Sequence, residues 1–170
     1  MNALSRSTFL TSGTKSAVSV ENSSVPYNRP VAQVLIIDDD PAVSLTLARM
    51  LEFDGHVVTR VESAQAGLAS AETQAPDAII LDMRMPIMGG LEFLRSLRGH
   101  ESLRLLPVGI VTGDYFLEER VLDELESLGA HVRYKPLWMD DLSALTRTLL
   151  GRDCSGGASV ESCPPASPRS

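Results

Sequence analysis

An open, doubly wound parallel sheet with helices on both faces is the fold this sequence predicts, and three observations predict it. Short apolar runs alternate with amphipathic stretches five times within residues 31–150 of the 170-residue chain. The runs VLII and AIIL carry no polar alternation, as parallel strands covered on both faces require. The stretches between the runs repeat their apolar residues at helical spacing. Right-handed crossovers between such units build the open sheet.

The elements follow in order. Residues 34–37 form the first strand and end in Asp38, Asp39 and Asp40. Asp40 suits an N-cap and Pro41 a first helical position, where its missing N–H costs nothing. Val43, Leu47, Met50 and Leu51 then share one helical face, and Gly55 ends the helix. The second strand is expected at 56–60, and Ser63 caps an Ala-rich helix reaching about Glu72. Pro76 and Asp77 lead into a third strand at 78–81, which stops at Asp82. Leu91, Leu94 and Leu97 mark the third helix, and residues 107–111 the fourth strand, running into Thr112, Gly113 and Asp114. Leu117, Val121, Leu125 and Leu128 repeat at helical spacing up to Gly129. A fifth strand at 131–134 precedes Lys135 and Pro136, and Leu142, Leu145 and Leu149 mark the last helix.

The flanks differ from this core. Residues 1–30 hold ten Ser or Thr with little periodic pattern, and residues 151–170 are rich in Gly, Ser and Pro. Neither buries enough apolar surface to offset its ordering entropy, so both are expected to be disordered tails around one domain at 31–150. That domain holds ten Arg or Lys against nineteen Asp or Glu, a balance of −9, while the flanks add +2 to give the overall −7. A surface this acidic repels a phosphate backbone, which argues against direct nucleic-acid binding and for protein partners. No apolar run approaches the roughly 18 residues of a membrane span, and the N-terminus lacks a secretory pattern. Cys154 and Cys163 lie in the polar tail with no histidine nearby, too few for a metal site or a disulfide framework. The expected location is cytoplasmic.

In an open parallel sheet, function gathers beyond the carboxyl ends of the strands. Those ends carry Asp38, Asp39 and Asp40 after the first strand, Asp82 after the third, Thr112 after the fourth and Lys135 after the fifth. Ionised carboxylates about 4 Å apart repel by about 4 kcal/mol per pair at an effective dielectric near 20. Either their pKa values rise or a cation joins them. A hard divalent ion with oxygen ligands, Mg²⁺ above all, suits a pocket that also holds phosphate. Lys135 offers a point charge and Thr112 a hydroxyl to phosphoryl oxygens. Lys135 is also the only lysine within residues 31–150, where nine arginines supply every other positive charge.

These segments resemble bacterial two-component response-regulator receiver domains of the chemotaxis-regulator type. The resemblance rests on VLIIDDDPAV, IILDMRMPIMGG, GIVTGD and YKP, in the family's order and spacing across residues 31–150. It implies a flavodoxin-like strand order 2-1-3-4-5. It implies that Asp82 is the phospho-acceptor and that Asp38, Asp39, Asp82 and the backbone carbonyl of Arg84 hold Mg²⁺. Thr112 and Lys135 are implied to contact the phosphoryl group, and the Lys135–Pro136 peptide to be cis. The implied donor is a phosphohistidine on a sensor histidine kinase or phosphotransfer protein. Phosphorylation is implied to draw Thr112 inward and to bias the fourth strand, fourth helix and fifth strand toward an active surface. The protein is then a switch and not an enzyme, beyond Mg²⁺-dependent self-phosphorylation and self-dephosphorylation. With no recognisable output domain after residue 150, signalling is expected through a downstream protein target or phosphorelay. A homodimer through the fourth helix, fifth strand and fifth helix stays open.

Three positions depart from the resemblance. Val132 stands where the family usually places an aromatic, with Tyr134 two residues on, which leaves either a modified output surface or an aromatic switch relocated to Tyr134. The loop after Met85 and Pro86 reads Ile-Met-Gly-Gly and lacks the common acidic residue. Arg84 and Asp114, each two residues past a site residue, either pair and shield the phosphoryl group from water or stand as two solvated side chains. Scattered His56, His100 and His131 argue against a metal cluster, and Tyr115 and Trp138 face a partner or the core. Three rival readings fit less well. A flavin or nucleotide site wants glycines after the first strand, where three aspartates stand. A docking module lacking phosphorylation predicts loss of Asp82, Thr112 or Lys135. An aspartate-based Mg²⁺-dependent phosphatase matches Asp38-x-Asp40 in spacing but needs a large cap.

Overall fold

The computed structural model describes residues 31–151, and the two expected tails, Gly151 apart, lie outside them. Ten elements alternate along the chain: β1 (Gln33–Ile37), α1 (Pro41–Phe53), β2 (Val57–Val61), α2 (Ala64–Gln74), β3 (Ala78–Asp82), α3 (Gly90–Gly99), β4 (Val108–Thr112), α4 (Glu119–Ser127), β5 (Ala130–Tyr134) and α5 (Met139–Leu149). All strand pairs are parallel, in the order β2-β1-β3-β4-β5. The architecture and the strand order are those expected.

Alternation along the strands splits the core into two layers. Leu35, Ile37, Ile79, Leu81, Val108 and Ile110 pack against Phe93, Leu94 and Leu97 of α3 and Leu125 of α4. On the other face, Val34, Ile36, Ile80 and Val111 meet Leu47 and Leu51 of α1 and Leu142, Leu145 and Leu149 of α5. β3 and β4 are buried at every position, whereas the edge strands β2 and β5 have no fully buried residue. That contrast explains why the continuous apolar runs were legible and the edges less so.

Capping follows the sequence. The Asp40 carboxylate accepts from the N–H groups of Ala42 and Val43, and Pro41 opens α1. Ser63 accepts from the Ala66 N–H at the start of α2. Gly55 adopts φ +90° just beyond α1, a conformation that favours glycine.

Boundaries shift by a residue or two, with physical causes. β2 starts at Val57, because His56 is buried in the turn and its Nδ1 accepts from the Ala32 N–H at 3.3 Å. β3 runs on through Asp82, so the acidic residue ends the strand from within it. α4 begins only at Glu119, since residues 113–118 form a loop crossing the rim of the sheet.

Candidate functional site

The strand order sets Asp82 at the end of the central strand β3, with β1 on one side and β4 then β5 on the other. The residues singled out at the strand ends therefore meet at one rim, where all of them but Thr112 line a cleft of about 440 Å³. Asp38, Asp39, Asp40, Asp82 and Asp114 put five carboxylates on its wall against the two cations of Arg84 and Lys135. An excess of negative charge in so small a space favours a cation.

Lys135 is the hub. Its Nζ donates to Asp82 Oδ1 at 2.7 Å and to Asp38 Oδ2 at 2.9 Å. The second oxygen of each carboxylate is held by backbone: the Arg84 N–H donates to Asp82 Oδ2 at 2.6 Å, and the Asp40 N–H to Asp38 Oδ1 at 2.9 Å. Asp38 and Asp82 are buried, whereas Asp39 is exposed on the rim. Burial is the largest influence on Asp82; it outweighs the Lys135 hydrogen bond and charge and the Arg84 N–H, and the nearby Asp38 charge adds to it. Its carboxyl is therefore raised above the ordinary range. Burial works against the Lys135 ammonium too, yet hydrogen bonds to Asp82 and Asp38 prevail and raise its pKa. The two partners thus gain unequally: the lysine is held charged, while the Asp82 carboxylate keeps a net penalty for being ionised.

Thr112 and Arg84 complete the surround differently. Thr112 is fully buried, and its Oγ1 accepts from the Asp114 N–H at 3.0 Å, so its hydroxyl lies behind the cleft wall. The Thr112 carbonyl accepts from the Lys135 N–H at 2.8 Å, tying β4 to the end of β5. Of the two arrangements open for Arg84 and Asp114, the ion pair is formed across the mouth of the cleft, with Nε at 3.0 Å and a terminal nitrogen at 2.5 Å from Asp114 Oδ2. The Arg84 hydrogen bond, then the Phe116 N–H, hold the Asp114 carboxyl below its usual range. The Lys135–Pro136 peptide is cis.

Hard carboxylate oxygens are the donors a magnesium ion takes, and Asp38, Asp39 and Asp82 supply them on one wall. Among the described residues no three His, Cys, Asp or Glu are gathered tightly enough to hold a metal as they stand. The Lys135 ammonium sits between Asp38 and Asp82, and Asp39 is exposed at the rim. The donor chemistry fits the ion, and the lysine competes with it.

Two contributors were not assigned a place at the site from sequence. A Cβ on Gly90 would lie 2.9 Å from the Asp82 carbonyl oxygen and 3.0 Å from Met83 Cα, so only glycine lets α3 start this close to the end of β3. The Gly89-Gly90 pair was its signal. Tyr115 stacks on Tyr134, with ring centroids 5.4 Å apart and planes 13° from parallel. Val132 is half-buried against the α3–α4 layer, and strand alternation puts Tyr134 on the same face, nearer the rim.

An acidic cleft with a lysine, at the carboxyl rim of an open parallel sheet, defines the class of the protein. A profile of the response regulator receiver domain matches residues 34–144, and the chain belongs to that family. Response regulator MprA of Mycobacterium tuberculosis is 35% identical over 120 residues, covering 71% of this chain and 51% of that protein. The probable transcriptional regulatory protein TcrX of the same organism is 30% identical over 129 residues, covering 76% of this chain and 53% of its own length. The chain spans about half the length of these curated relatives. Among solved structures, chemotaxis protein CheY4 of Vibrio cholerae superposes with a TM-score of 0.65 at 26% identity, covering 71% of this chain and 99% of that one. The receiver domain of sensor histidine kinase PA1611 from Pseudomonas aeruginosa gives 0.64 at 26% identity, covering 71% and 98%, and is described with a magnesium ion coordinated in its active-site cleft.

Proposed function

We propose that this chain is a phosphorylation switch whose acceptor is Asp82, loaded from a phosphohistidine on a sensor histidine kinase or phosphotransfer protein. The observation that carries the reading is the Lys135 ammonium 2.7 Å from a carboxylate buried at the end of the central strand. An Asp82 oxygen attacks phosphorus, the P–N bond of the donor breaks, and the leaving imidazole nitrogen takes a proton. Lys135 neutralises the phosphoryl oxygens as they arrive, and the Thr112 hydroxyl turns in to donate to one of them. Asp38, Asp39, Asp82 and the backbone carbonyl of Arg84 would hold Mg²⁺. When bound, the ion supplies the charge that lets a phosphoryl group enter an acidic cleft. The Arg84–Asp114 pair screens the acyl phosphate from water.

In this reading the chain does no chemistry beyond its own phosphorylation and hydrolysis. It acts in the cytoplasm and signals by contact with a downstream protein or by passing the phosphoryl group on. No helix among the described residues is long and apolar enough to cross a membrane. The test is intact-mass spectrometry after incubation with Mg²⁺ and phosphoramidate. The wild type is expected to gain one phosphoryl group and Asp82→Asn none. No gain in either would favour a docking module that works without phosphorylation.

A further inference from the structure

Lys135 is held through its main chain by two neighbours. Its N–H donates to the Thr112 carbonyl at 2.8 Å. Its own carbonyl accepts from the hydroxyl of Tyr115, a residue of the loop between β4 and α4. The Tyr115 ring is anchored by its stack on Tyr134, the residue directly before Lys135. Asp114, directly before Tyr115, is fixed in turn by the Thr112 Oγ1 and by Arg84. Tyr115 remains 60% exposed, so apolar cover alone is a weak reason for its placement. A ring lying on Tyr134 for burial only has no need to aim its hydroxyl at the carbonyl of the residue that bears the ammonium.

We propose that Tyr115 is a positioning residue for Lys135: its phenol clasps the end of β5 and keeps the ammonium between Asp82 and Asp38. The proposal rests on reading Asp82 as the phospho-acceptor. A clasped lysine has two consequences of opposite sign. It stands ready for the phosphoryl oxygens, and it competes with a cation for the same two carboxylates. Loosening the clasp therefore slows phosphorylation while easing entry of the ion. A residue that merely stabilises the fold would weaken both.

The full chain as wild type, Tyr115→Phe and Tyr115→Leu separates these outcomes. Titration calorimetry with Mg²⁺ alone gives the ion's affinity, intact mass with phosphoramidate at saturating Mg²⁺ gives the rate, and thermal melts report the fold. Losing one net hydrogen bond in Tyr115→Phe is expected to slow phosphorylation about two- to tenfold. Mg²⁺ is expected to bind more tightly and the melting temperature to hold. Tyr115→Leu, lacking the stack as well, should be slower still. An unchanged rate in Tyr115→Phe overturns the proposal, as does a joint fall of rate, Mg²⁺ affinity and melting temperature. If the wild type itself gains no mass, the acceptor reading fails and this inference with it. If the wild type gains mass and Tyr115→Phe matches it, only the clasp is refuted.

Discussion

Replacing Lys135 by methionine removes the ammonium that joins Asp38 to Asp82 while keeping most of the side-chain stem. The two hydrogen bonds it removes are 2.9 and 2.7 Å long, to carboxylates that are both buried. A hydrogen bond between charged groups is worth about 1.5–3 kcal/mol net, and breaking a buried pair costs about 3–5 kcal/mol. The Lys135 side chain is 25% exposed, so water shares the load and the low end applies. Its own desolvation, which opposes the charged form, is also relieved. The expected loss is about 2–3 kcal/mol at pH 7 with chelator present, read from urea unfolding midpoints at an unchanged slope. Two further readings follow from the same geometry. Mg²⁺ should raise the midpoint more in the variant than in the wild type, because no ammonium competes for the carboxylates. The loss should also shrink as pH falls through the raised pKa of Asp82, since a protonated carboxyl no longer needs a cation. A loss under about 0.5 kcal/mol, the range of an ordinary surface change, would refute the bridge.

Three further outcomes are expected. Burial raises the folded pKa of Asp82, so its contribution to stability is present below the ordinary carboxylate range and lost as pH rises through the folded value; Asp82→Asn should therefore raise the melting temperature at neutral pH in chelator, checked by calorimetry. Arg84→Ala should speed hydrolysis of the phosphorylated protein about two- to fivefold, the scale of an exposed ion pair, followed by decay of the intact-mass peak. A Cβ on Gly67 would lie 2.5 Å from Ile37 Cδ1 and 3.1 Å from Phe93, so Gly67→Ala should cost about 1–3 kcal/mol by overpacking, measured in urea.

The inner strands were legible because a parallel strand covered on both faces must be apolar throughout, and VLII and AIIL are. β2 and β5 sit at the edges, where exposed residues such as Arg60 and His131 blur the pattern, so their limits moved by a residue. Asp38, Asp82 and Lys135 could be gathered at one rim from sequence, since the carboxyl ends of parallel strands share one side of a sheet. Spacing does not encode rotamers or loop closure. Nothing in GIVTGD says that the Thr112 hydroxyl lies behind the wall on the Asp114 N–H, and nothing in YKP says that the ammonium takes the space between two aspartates. The Tyr115–Tyr134 stack joins a loop to an edge strand, a relation that neither period two nor period 3.6 reports. The Arg84–Asp114 pair was accessible because each residue stands two places beyond a strand-end residue on neighbouring strands.

Peptide mapping after borohydride reduction reaches the central claim most directly, because an acyl phosphate on aspartate is reduced to homoserine at its own position. After exposure to Mg²⁺ and phosphoramidate, homoserine is expected at position 82 alone. Homoserine at 38, 39 or 40, or at no aspartate in a sample shown to carry phosphate, would contradict it.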